Sequence, residues 1–158
     1  MPIEPPTRYN FDANAWVGFA WREFPRDVFV SLWQRIEDGI DEGRIFTVDF
    51  VFMEIQRQDD ELSKWMKEKR ESTPEFVIAS DAEIQIAGAD LINTYALKQD
   101  ADPFVVAAAK KYGLTVVTNE KRRDYPREKP PKMPNLCQFL NVPCITPLAM
   151  IKAEGWKF

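Results

Sequence analysis

The sequence predicts an α/β fold in which a parallel sheet carries helices on both faces. Three observations lead there. Short apolar runs alternate with longer segments whose apolar residues recur at helical spacing, the order expected of β–α units. Turn and cap residues punctuate the runs. The chain has 158 residues, 45% hydrophobic and 13% aromatic, which suits one packed domain and excludes a disordered chain. Residues 1–158 read as that single domain, without repeat, low-complexity tract or linker.

The elements follow in order. Tyr9-Asn10-Phe11 is a short strand ending at Asp12, and a short helical segment runs over Ala15 to Glu23. Pro25-Arg26-Asp27 opens an amphipathic helix with Val28, Leu32, Ile36 and Ile40 on its inner face, beside Phe29 and Trp33; Gly43 stops it. Arg44 to Val48 is the second strand, and Asp49 is placed to cap a helix holding Phe50, Phe52, Met53, Glu54 and Ile55. Asp59 to Arg70 reads as a charged surface helix with Leu62, Trp65 and Met66 turned inward. After Pro74, Phe76-Val77-Ile78 is a short strand. Ser80 and Glu83 then have capping-box spacing for a helix from about Asp81 to Leu97. Asp102-Pro103 combines an N-cap Asp with an N1 Pro, starting a helix over Phe104 to Tyr112 that ends at Gly113. Leu114 to Val117 is a buried strand closing at Thr118. Lys121 to Pro134 holds four prolines and forms no regular element. Leu136 to Leu140 is a helix, Cys144-Ile145 a strand, and Leu148 to Glu154 the final helix.

A parallel sheet places its strand C-termini on one edge, where open α/β sheets bind ligands. Asp12 and Glu120 would follow two strands, Asp102 would start the helix leading into the second, and Glu54 would lie in the helix after Val48. Each acid has a structural explanation: Asp12 and Asp102 as caps, Glu54 paired with Arg57, and Glu120 as a loop residue. Asp100 is a further acid able to substitute for or assist Asp102. Two carboxylates about 4 Å apart repel by roughly 4 kcal/mol at an effective dielectric of about 20. Convergence of these acids therefore requires a metal ion or a basic partner, unless some of them are protonated. With no histidine in the chain, the cation expected is a hard, oxygen-preferring one such as Mg²⁺ or Mn²⁺. The same absence excludes every mechanism with an imidazole base, including Ser-His-Asp and Cys-His hydrolysis.

Charge and cysteines set further bounds. The net charge is −4, yet Lys121 to Lys132 holds Lys121, Arg122, Arg123, Arg127, Lys129 and Lys132 against only Asp124 and Glu128. A basic stretch beginning beside a candidate site fits phosphate contacts. Cys137 and Cys144 bring too few ligands for zinc; two free thiols are expected, with a disulfide as the alternative. No apolar run approaches the roughly 20 residues that span a bilayer. Met1 to Thr7 holds three prolines and Glu4 rather than a signal peptide, so a cytoplasmic protein is expected.

These residues resemble the PIN domain, a metal-dependent nuclease fold found in many bacterial and archaeal toxins of toxin–antitoxin pairs. Tyr9-Asn10-Phe11-Asp12-Ala13-Asn14 is similar to the first-strand Asp-x-Asn signature of that family. Glu54 stands in the helix after the second strand, where the family has its glutamate. Ala101-Asp102-Pro103-Phe104 resembles the third acidic position, and Val116-Val117-Thr118-Asn119-Glu120-Lys121 the fourth. The likeness runs from about Tyr9 to Trp156. The tail Gly155 to Phe158 resembles that of one PIN-like branch.

The resemblance implies a PIN-like α/β/α sandwich with a parallel sheet of about five strands. It also implies one or two Mg²⁺ or Mn²⁺ ions held by Asp12, Glu54, Asp102 and Glu120, with Asn14 and Thr118 supporting them. The implied activity is hydrolysis of RNA, with an antitoxin as protein partner, pairing into homodimers and no membrane association. Lys121, Arg122 and Arg123 would meet phosphates near the cleft, with Arg127, Lys129 and Lys132 as an outer patch; Trp16, Trp21 or Tyr125 could stack on bases. The chain departs from the pattern at Glu120, where the family commonly has aspartate, which opens the question of direct ligation there. The rival reading is a non-catalytic PIN-like module that binds RNA or protein. A small-molecule nucleotide-binding protein is disfavoured, because neither G-x-G-x-x-G nor G-x-x-x-x-G-K-[ST] occurs.

Overall fold

The computed structural model describes residues 4–158; Met1 to Ile3, part of the segment read for a signal peptide, lie outside the described residues. Five strands form one sheet: β1 (Tyr9–Phe11), β2 (Ile45–Val48), β3 (Val77–Ile78), β4 (Thr115–Val117) and β5 (Cys144–Ile145). Their order is β3-β2-β1-β4-β5 and every pairing is parallel, with Asn10 opposite Phe46 on one side and Val116 on the other. The expected fold class is therefore present. Among the described residues seven α-helices accompany the strands: α1 (Val30–Asp41), α2 (Asp49–Gln56), α3 (Glu61–Ser72), α4 (Ala82–Tyr95), α5 (Asp102–Tyr112), α6 (Met133–Phe139) and α7 (Pro147–Ala153). β2 and β3 extend the sheet to one side of β1, whereas β4 and β5 extend it to the other. The C-terminal ends of β1 and β4 thus flank a topological switch point, where open α/β sheets form a crevice.

Two kinds of packing hold these ends. On one side a chain of aromatic rings forms the core: Phe11 lies 4.5 Å from Trp16, Trp16 lies 5.9 Å from Trp65, and Trp65 lies 4.9 Å from Trp33. On the other, α5 buries Val105, Val106, Ala107, Ala108 and Ala109, small residues that let the helix approach the central strands closely. Asn10 ties helix to strand from within, donating from Nδ2 to the Val105 carbonyl at 3.0 Å. Gly113 ends α5 with φ +67, a left-handed turn that suits glycine. Gly113→Ala is expected to cost about 1 kcal/mol, read from a urea denaturation midpoint with unchanged slope.

Local readings differ at several points. The segment Ala15–Glu23 is helical as expected but wound as a π-helix, a wider coil that periodicity does not distinguish at this length. The next helix begins at Val30, because the Pro25 carbonyl takes the Val28 and Phe29 N–H groups in a turn; Val28 is left 67% exposed. Asp49 is the first residue of α2 rather than its cap, and its carboxylate holds Ser80 N–H and Oγ at 2.8 and 2.7 Å. With Ser80 so engaged, Asp81 caps α4, accepting Ile84 N–H at 3.0 Å. Asp102 likewise lies inside α5, behind Ala101 at the N-cap, so its carboxylate is not used as a cap. α6 starts at Met133, three residues earlier than expected, since Pro134 is tolerated in a first turn.

Candidate functional site

Asp12 follows β1 directly, its N–H bound to the Val117 carbonyl of β4 at 3.2 Å, and is only 1% exposed. Oδ1 accepts the Ala15 N–H at 2.8 Å, so the capping role expected of it is real. Oδ2 is buried with no hydrogen-bond partner. Burial pushes the carboxyl up to about 7, with a further push from Glu120; the Thr118 hydroxyl and the Ala15 N–H oppose this. Thr118 is near enough to favour the charged form without completing a hydrogen bond to Oδ2.

Asp102, in the first turn of α5, is the electrostatic hub. Burial first, then the charges of Asp12, Asp100, Glu120 and Glu54 in that order, push its carboxyl up to about 8. Asp12, Asp100, Glu120 and Glu54 are thus near enough to Asp102 for their charges to act on it. Asp100 Oδ1 also accepts the Asp102 N–H at 3.1 Å.

The two glutamates have anchoring partners. Glu54 Oε1 accepts the Ala101 N–H at 3.0 Å, the start of α5. Burial raises its pKa most, Asp100 adds to the rise, and the Ala101 N–H and Arg57 oppose it. Arg57 acts on Glu54 through space, and no ion pair joins them among the described residues. Glu120 Oε2 accepts the Met133 N–H at 3.1 Å, the start of α6. Its own N–H donates to Thr118 Oγ1 at 3.2 Å. Asn14 Oδ1 accepts the Asn119 N–H at 3.1 Å, joining the loops after β1 and β4. Among the described residues, no three acidic or thiol side chains are gathered tightly enough to hold a metal ion as they stand.

A cleft of about 220 Å³ opens over this edge, lined by Asp100, Asp102 and Glu120 together with Lys98, Arg123 and Lys132. Asp100 also borders a second, larger cleft of about 500 Å³ lined by Glu54, Phe50, Phe104 and Met53. The basic segment divides differently from the expectation. Arg123 enters the cleft, but Lys121 and Arg122 are exposed and do not line it. Lys132, expected in an outer patch with Arg127 and Lys129, lines the cleft instead, because it is the residue from which α6 departs. Trp16 is wholly buried and offers no face; Tyr125 is half-buried, with edge-on contacts to Tyr95 and Phe139, and Trp21 packs edge-on against Trp33. Cys137 and Cys144 are free thiols, as expected. Their mutual hydrogen bond, followed by burial, holds the Cys137 thiol above its ordinary value.

A family model described as "Domain of unknown function (DUF4411)" matches residues 9–158. The chain belongs to the DUF4411 family. No curated protein matches the sequence of this DUF4411 chain. Its fold matches solved structures. VapBC2 from Rickettsia felis, bound to a DNA fragment from its promoter, gives a TM-score of 0.54 at 16% identity over 89% of this chain and 98% of the other. FitAcB from Neisseria gonorrhoeae gives 0.53 at 16% identity over 89% and 98%. FitAB bound to the IR36 DNA fragment gives 0.52 at 16% identity over 88% and 94%. The DUF4411 chain thus has the PIN-like fold that its motifs resemble.

Sequence reasoning missed two residues of the site. Lys98 lines the cleft from the loop after α4 and carried no motif. Asn135 is 1% exposed and hydrogen-bonds both ends of the basic segment. Its position three residues after Lys132 is the spacing of a side chain that reaches back to a helix N-cap, a signal readable in the sequence.

Proposed function

We propose that this chain is a divalent-metal-dependent endoribonuclease, the toxin of a type II toxin–antitoxin pair acting in the cytoplasm. The observation that carries the reading is Asp12 Oδ2, a buried carboxylate oxygen without a partner at the sheet's switch point, beside Asp102. A buried carboxylate in this state favours either a proton or a cation. The all-oxygen donor set fits Mg²⁺ or Mn²⁺. Asp12 and Asp102 would hold the ion directly, with Glu54 and Glu120 contributing from the rim, where backbone N–H groups fix them. When bound, it would supply Lewis-acid polarisation of a phosphodiester and a water of lowered pKa.

The chain's own groups do the rest. Glu54, its pKa raised by burial, is suited to accept a proton from the attacking water. Thr118 and Asn14 keep the loops after β1 and β4 in register, and Lys98, Arg123 and Lys132 offset the acids as an RNA backbone enters. Water attacks the phosphorus and the P–O3′ bond breaks, which gives 5′-phosphate and 3′-hydroxyl ends; with no histidine in the chain, the leaving 3′ oxygen takes its proton from solvent. The toxin role follows the PIN-like fold and the VapBC and FitAB likeness. An antitoxin would present a cationic side chain to the acids. Among the described residues no helix is long and apolar enough to cross a membrane. Pairing of two copies belongs to the same reading and rests on the resemblance alone.

The test is cleavage of a mixed RNA substrate with Mg²⁺ or Mn²⁺, with and without EDTA, followed by end-group analysis. Metal-dependent cleavage leaving 5′-phosphates is the expected result. A 2′,3′-cyclic phosphate end would overturn the mechanism, since it reports attack by the substrate's own 2′-hydroxyl. The backbone anchoring of Glu54 and Glu120 favours one second reading, a module that binds metal and RNA without cutting. Metal binding without cleavage would decide for it.

A further inference from the structure

We propose that Asn135 is a positioning residue that folds both ends of the basic segment onto the acidic cleft, so that Arg123 and Lys132 receive the phosphate oxygens of an RNA backbone. This rests on the ribonuclease reading above. Asn135 Oδ1 accepts two N–H groups, from Arg123 at 2.9 Å and from Lys132 at 3.1 Å; Nδ2 donates to the Arg123 carbonyl at 2.9 Å. One buried side chain therefore clamps two points nine positions apart in sequence.

The chemistry requires a side chain of this kind. The segment is rich in proline, lies between β4 and α6 and forms no strand or helix of its own; at its end the Lys132 carbonyl accepts the Leu136 N–H of α6 at 3.0 Å. A short amide offers both an acceptor with two lone pairs and a donor, which neither a carboxylate nor a hydroxyl supplies at that reach. Two further bonds close the loop. Arg123 Nη1 donates to the Pro130 carbonyl at 2.8 Å, and Glu120 Oε2 takes the Met133 N–H beside Lys132.

The result is a sorting of the cations. Arg123 and Lys132 line the cleft that holds Asp102 and Glu120, while the other four basic residues of the segment do not. An anionic backbone approaching buried carboxylates is repelled unless fixed cations share the cleft. The Asn135 clamp meets that need with two side chains rather than with net charge, consistent with a chain of −4 overall.

The experiment measures the salt dependence of binding to a single-stranded RNA oligonucleotide, in an Asp12→Asn background to prevent cleavage. Each phosphate contact adds about 0.7 to the slope of log K against log salt for single strands. Asn135→Leu is expected to reduce the slope by roughly 1.4, equal to two contacts. Arg123→Gln with Lys132→Gln should reproduce that loss, and adding Asn135→Leu to this pair should change it no further. If Asn135→Leu does not fold, Asn135→Ser, too short to span both ends, is read in the same way. A residue that only caps α6 would lower stability and leave the slope intact, and that outcome overturns the inference alone. An Asp12→Asn protein with no RNA binding at all overturns the ribonuclease reading and this inference with it.

Discussion

Asp12→Asn is expected to lower metal-dependent RNA cleavage by on the order of 10²–10³-fold and, at pH 8 without metal, to make the protein more stable than the wild type. Both effects come from one atom. Oδ2 of Asp12 is buried with no partner, so its charge is a cost that the rest of the fold bears. The amide keeps the shape and, through Oδ1, the bond from the Ala15 N–H, and it removes the charge. A gain on the order of 1 kcal/mol is expected. Asp12→Ala would instead lose the Ala15 bond and is expected to be less stable than Asp12→Asn. Thermal melts of the three proteins in EDTA, beside a cleavage assay, check this. A melting temperature for Asp12→Asn at or below that of the wild type would remove the premise of a strained, unpaired carboxylate.

The second large effect is the pH dependence of the metal-free protein. Asp12 and Asp102 have folded values of about 7 and about 8, against 3.8 for an unperturbed aspartate. Between those limits the folded state retains protons that the unfolded chain has released, so the stability these groups contribute is greatest below about pH 4. It is lost as pH rises towards 7 and 8, by about 1.4 kcal/mol per pH unit for each group. Most carboxylates behave in the opposite sense, which makes the sign diagnostic. Mg²⁺ or Mn²⁺ bound at these groups would stabilise the fold at pH 8 and much less at pH 5, where it competes with protons. Urea midpoints in EDTA and in Mn²⁺ at the two pH values give the comparison. A metal-free protein that gains stability from pH 5 to pH 8, with no added stabilisation by Mn²⁺, would contradict the electrostatics of the site.

The five strands were legible because each is a short apolar run closed by a turn or cap residue, a pattern set by local chemistry. Asp12 and Glu120 stood out for the same reason, since they follow such runs, whereas Glu54 and Asp102 stood out by the helices that hold them. What periodicity did not carry was competition among partners. Asp49 could cap α2, but Ser80 arrives from a distant segment and takes its carboxylate. Asp102 looked like a cap, yet Ala101 occupies that position after Glu54 reaches across to its N–H. Asn135 brings Lys132 and Arg123 together, and no local pattern reports that these two share a side chain. Long-range hydrogen bonds, rather than element types, are what the sequence concealed.

The placement of β1 has a consequence for how the protein comes into being. β1 is the central strand and the first of the five in sequence, yet one of its two neighbours is β4 (Thr115–Val117), which is synthesised after β2 and β3. A nascent chain emerging from the ribosome holds Asp12 with one side of its strand open until β4 docks. Glu120 finds its anchor only when Met133 follows. The acids therefore cannot take up their final arrangement during translation until β4 and the start of α6 have been made.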